Sequence, residues 1–80
     1  MITVEEIREI LESSFLGAQV EVEDMTGTAD HFEVRLVWPD FRGVSLIEQH
    51  QMVNRALAGP LGDGRIHALK IKTRAAQAAR

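Results

Sequence analysis

Three alternating stretches and their spacing constrain this chain most. "AQVEVED" at residues 18–24 and "HFEVRLVWP" at 31–39 are separated by six residues, whereas the third stretch, in "RIHALKIKT" at 65–73, follows about 27 residues later. Apolar and polar residues alternate as in half-buried strands. Ala18, Val20 and Val22 oppose Gln19, Glu21 and Glu23, and Phe32, Val34, Leu36 and Trp38 share one face of the second stretch. The connecting "MTGTAD" is short, so these two strands predict an antiparallel hairpin, closed by Pro39, which cannot donate to a ladder. The longer, helix-bearing connection predicts a right-handed crossover to a parallel third strand.

Helices frame the strands. Thr3 and Glu6 form a capping-box pattern, and Val4, Ile7, Ile10 and Leu11 recur at helical spacing to about Ser14, with Gly17 at the turn out. Ser45 and Glu48 repeat the pattern ahead of "LIEQHQMVNRALAG". There Leu46, Val53 and Leu57, flanked by Ile47, His50 and Ala56, make the apolar side, and Gly59 and Pro60 end the helix. The third strand is expected from Ile66 to Lys72, with Thr73 capping a short helix in the tail, 73–80. These elements make one α+β domain over residues 1–80, a sandwich with helices against one face of a three-stranded mixed sheet.

Composition removes several function classes. The chain has 80 residues and no cysteine, which excludes a disulfide frame and any thiolate metal site built by this chain alone. No apolar run approaches the roughly 18 residues of a membrane span, and the N-terminus lacks the basic-then-apolar order of a signal peptide. A cytoplasmic protein without membrane contact is therefore expected. The net charge of −3 divides unevenly: residues 1–40 carry ten acidic and two basic side chains, residues 41–80 two acidic and seven basic. A pI near 5.5 is not the electrostatic footprint of a general nucleic-acid binder.

Little in the sequence suggests catalysis. Of Ser13, Ser14 and Ser45, the last is committed as a helix cap, and no nucleophile elbow or phosphate loop surrounds the others, so an enzyme is not expected. The histidines are more informative, since imidazole is a common ligand for zinc, copper and iron. If the second and third strands are parallel neighbours, their starting ends share one edge of the sheet, which brings His31 towards His67. His67 has the phase of Leu69 and Ile71 and is expected on the core side, or as a partly buried histidine at a sheet edge. His31, beside inward Phe32, turns outward under strict alternation, so convergence requires it to belong to the loop. The "GPLG" of residues 59–62 reads as G-x-x-G, the pattern of a KH clamp loop, although Pro60 removes a donor and neither middle residue is basic.

The segments "VEVEDMTG", "HFEVRLV", "FRGVSLIEQHQMVNRAL" and "IHALKIKT" resemble the BolA family over about residues 1–73. The resemblance implies a helix–strand–strand–helix–helix–strand–helix fold with class II KH-like topology. It also implies partnership with a monothiol (CGFS-type) glutaredoxin, the two chains sharing a [2Fe–2S] cluster with glutathione. The glutaredoxin cysteine and glutathione supply the sulfur, and no cofactor is expected in this chain alone. His67 matches the family's signature histidine, and His31 is the qualifying second ligand in a cysteine-free, histidine-type member. Many relatives continue after "KT" into a Thr-Pro-acidic segment and a tryptophan, where this sequence reads "RAAQAAR". The resemblance also raises a rival role, transcriptional regulation through DNA, for which the candidate residues are Arg42, Arg55, Arg65, Lys70 and Lys72.

Overall fold

The computed structural model describes residues 1–75. Its elements run α1 (Val4–Ser14), β1 (Gln19–Asp24), β2 (His31–Val37), a 3-10 turn (Pro39–Phe41), α2 (Leu46–Ala56), α3 (Ala58–Gly62) and β3 (Ala68–Arg74). The sheet order is β1-β2-β3. β1 and β2 pair antiparallel from Gln19↔Val37 to Asp24↔Phe32. β2 and β3 pair parallel, with His31↔Ala68 as the first pair. The mixed sheet and crossover therefore follow the sequence spacing.

Capping and periodicity explain α1. Thr3 Oγ1 accepts the Glu6 N–H at 3.0 Å, and Glu6 Oε1 accepts the Thr3 N–H at 2.9 Å, so both arms of the box form. Ile7, Leu11 and Phe15 are buried against Phe32, Val34 and Leu36 of β2, with Val53 of α2 and Leu57 just after it completing the same core. Phe41 joins this core below a T-shaped stack with Trp38, whose centroid lies 5.1 Å away. Trp38 Nε1 donates to the Leu16 carbonyl at 2.8 Å, which ties the exit of β2 to the end of α1.

Several local expectations are corrected. Of the second capping box, one arm forms among the described residues: the Glu48 N–H donates to Ser45 Oγ at 3.2 Å. Leu46 and Ile47 are exposed rather than core-facing, and the buried side of α2 is Gln49 and Val53, followed by Leu57. Gly59 and Pro60 do not end the helical path, because α2 stops at Ala56 and the chain re-enters α3 with Pro60 buried. Proline is tolerated there because the first N–H groups of a helix have no helical partner. Trp38 lies just beyond β2 instead of within it. β3 begins at Ala68 and extends to Arg74 instead of running from Ile66 to Lys72. Ile66 is buried, its N–H donating to the Pro60 carbonyl at 3.0 Å. Thr73 is a strand residue, and the tail helix it was expected to cap lies outside the described residues.

Helices cover one face of the sheet, and the other is open and charged. Even-numbered residues of β2 enter the core, whereas Glu33 and Arg35 face the open side beside Glu21 and Glu23 of β1 and Lys70 and Lys72 of β3. The sequence's charge asymmetry thereby becomes spatial: acidic β1 at one edge, basic β3 at the other. Between them, Arg35 of β2 reaches Glu33 at 2.7 Å, Glu21 at 3.0 Å and Glu23 at 3.5 Å, while Lys72 of β3 lies 3.5 Å from Glu33.

Candidate metal centre

Parallel pairing of β2 with β3 decides the site. His31 opens β2 on the open face, and His67 directly precedes β3, so the register sets them side by side. Their ring centroids are 6.4 Å apart, with the planes nearly perpendicular. His31 converges while belonging to the strand, contrary to the condition the alternation imposed. The expected core-side phase of His67 is also overturned: Ile66 takes the buried position, and His67 leaves the alternation with its side chain 62% exposed. The turn before the strand breaks the phase, so alternation inside β3 does not govern it.

The preceding loop is built around two carboxylates. Asp24 Oδ1 accepts the Gly27 N–H at 2.9 Å, and its Oδ2 accepts the Ala29 N–H at 2.9 Å. This wraps the chain tightly enough that Ala29 sits in the left-handed region, at φ 61°. The wrap delivers Asp30 between the two rings. Its Oδ1 meets His31 Nδ1 at 2.8 Å, its Oδ2 lies 3.5 Å from His67 Nδ1, and the Thr28 hydroxyl donates to Oδ1. The Asp30 carbonyl accepts the His67 and Ala68 N–H groups at 2.8 and 3.2 Å, which fixes where β3 begins. The Thr28 hydroxyl first, then His31, hold the Asp30 carboxyl down at a pKa of about 2, against the opposing cost of its partial burial.

A scan against protein-family models matches residues 5–78 to the BolA-like protein family. The chain belongs to that family. An uncharacterized protein of Rickettsia prowazekii, RP812, is 36% identical over 72 residues, covering 90% of this chain and 92% of the relative. Protein BOLA2 of Arabidopsis thaliana is 40% identical over 73 residues, covering 90% and 76%. Among solved structures, BolA1 from Arabidopsis thaliana superposes with a TM-score of 0.84 at 25% identity over the full length of both chains.

In this BolA-like chain the two rings fit half of a ligand set. Two imidazoles bound through one nitrogen each to one tetrahedral metal have centroids about 5 Å apart, given metal–nitrogen bonds near 2 Å. The observed 6.4 Å is within reach of that by side-chain rotation. Among the described residues, no group of three or more His, Cys, Asp or Glu side chains is arranged to hold an ion. Two imidazoles fill two of the four positions of a tetrahedral metal.

The five candidate nucleic-acid residues are not gathered into one patch. Lys70 and Lys72 lie on the open sheet face, whereas Arg55 and Arg65 flank α1 on the helical side. Arg65 Nε is engaged by Asp63 Oδ2 at 2.9 Å, and Arg42 is exposed after the 3-10 turn. The "GPLG" sequence is helical, inside α3. Sequence reasoning missed Asp30, Glu33 and Gln49. Asp30 carried one legible signal, adjacency to His31; buried Glu33 and Gln49 carried none, because their partners come from other elements.

Proposed function

We propose that this BolA-like chain is a non-enzymatic cytoplasmic adaptor that joins a monothiol (CGFS-type) glutaredoxin and completes a glutathione-ligated [2Fe–2S] cluster, for iron–sulfur trafficking or iron and redox sensing. His67 and His31 are its ligands, and the glutaredoxin cysteine and glutathione supply the sulfur. One observation carries this reading: a chain without thiols presents two accessible imidazoles, backed by one carboxylate, at the head of its sheet.

When bound, such a cluster supplies one-electron chemistry at a potential that histidine ligation raises above that of all-thiolate clusters. The chain's own contribution is to hold two rings at the surface, where a second protein can reach them. Protonation removes their lone pairs, so retention weakens in acid. The basic β3 edge starts next to His67 and runs away from it through Lys70, Lys72 and Arg74, and its near end offers charge to glutathione carboxylates or to an acidic partner face.

The test mixes the chain with a monothiol glutaredoxin, glutathione and iron. The visible absorption and circular dichroism are expected to differ from those of the glutaredoxin homodimer, and His67→Ala is expected to abolish the difference. Spectra identical to those of the glutaredoxin alone would overturn the proposal.

A further inference from the structure

We propose that Asp30 is the positioning residue of this centre: its carboxylate bonds Nδ1 of His31 and faces Nδ1 of His67, holding both rings with Nε2 as the free donor atom. The inference rests on the shared-cluster reading for its consequence but not for its geometry. An ionised carboxylate has only acceptor sites. In the neutral ring, the His31 Nδ1 that meets Asp30 at 2.8 Å is therefore the nitrogen that carries the proton, which leaves the lone pair on Nε2. His67 approaches more loosely, with Nδ1 3.5 Å from the second oxygen, so the same carboxylate faces the matching nitrogen of the second ring. One side chain thus reads both rings at once.

Asp30 is itself firmly held. The Thr28 hydroxyl donates to its carboxylate, and its carbonyl is tied to the His67 and Ala68 N–H groups. Behind it, the Asp24-centred wrap fixes the loop through the Gly27 and Ala29 N–H groups. The carboxylate is prearranged before any metal arrives, as are the outer partners that orient histidines at metal sites. A carboxylate on Nδ1 also makes the ring a stronger donor, which favours the more positive, oxidised cluster and lowers its potential.

Two measurements test this. The first uses the chain alone: nitrogen NMR of the imidazoles reads the tautomer of His31 and His67. In the wild type both are expected to carry the proton on Nδ1, and Asp30→Ala is expected to move it towards Nε2, the form favoured in free histidine. The second uses the glutaredoxin–glutathione mixture. Asp30→Asn, which keeps the side-chain volume and the backbone carbonyl, is expected to weaken cluster retention by roughly 10–100-fold and to shift the potential upward. Unchanged tautomers in Asp30→Ala, or an unchanged potential in Asp30→Asn, would overturn the inference. A wild-type chain that never alters the glutaredoxin spectrum would sink the shared-cluster reading instead, and the tautomers would still decide the role of Asp30.

Discussion

Gln49 on α2 accepts the Thr73 hydroxyl of β3 through Oε1 at 2.6 Å, while its own Nε2 donates to the Val44 carbonyl at 2.8 Å. With 8% of its surface exposed, Gln49 is a buried polar residue whose amide is used at both ends, binding the entry of α2 to the exit of β3. Gln49→Ala leaves a hydroxyl and a carbonyl without this partner, and the expected loss is about 1–3 kcal/mol. Urea unfolding followed by circular dichroism checks it. A midpoint equal to that of the wild type would show that water replaces the amide without cost.

The strained loop residue offers a test of opposite sign. Ala29 holds φ 61°, a conformation glycine adopts without the penalty an L side chain bears. Against this, glycine gives the unfolded chain more entropy. The left-handed penalty is the larger, so Ala29→Gly should stabilise by roughly 0.5 kcal/mol. A thermal melt that moves downward would show that contacts of the Ala29 methyl group outweigh the strain.

Acid should weaken the fold in a defined window. The Asp30 carboxyl is lowered from 3.8 to about 2, and Glu33 falls below its ordinary 4.5, chiefly through the Arg35 guanidinium and with help from Lys72. Both groups bind protons less readily folded than unfolded. Their contribution is therefore complete above the unfolded values and is lost as pH drops through the folded ones. The urea midpoint should hold near neutrality and decline between about pH 5 and pH 2. In Asp30→Asn that decline should be shallower. Equal slopes in the two proteins would contradict this assignment.

Removing a metal should leave the fold standing. His31 and His67 lie at the surface, and the core of Ile7, Leu11, Phe32, Val34, Leu36, Val53 and Leu57 closes without them. Chelation of iron from the mixed complex should abolish the visible spectrum yet leave the far-ultraviolet dichroism and melting temperature of the chain nearly unchanged. Phe32→Ala, in contrast, should cost about 3–5 kcal/mol through the cavity it leaves. A chain that unfolds on chelation would mean that metal ligation is part of its folding free energy.

The sequence by itself determined α1, β1, β2 and α2 and how the strands pair. Alternation marked β1 and β2, the Thr3–Glu6 box opened α1, and the long crossover required β3 to run parallel to β2. These signals are local, or depend on chain length alone. For the same reason the meeting of His31 and His67 was legible in outline.

Tertiary structure decided what each side chain faces where the period breaks. The turn ahead of β3 buries Ile66 and frees His67, and the start of α2 turns Leu46 and Ile47 to solvent. It also supplied Asp30 as a common partner for two rings, because a carboxylate's reach depends on how the loop around Asp24 is wound. Contacts between residues distant in sequence arise only when the backbone closes, and a one-dimensional pattern carries no record of them.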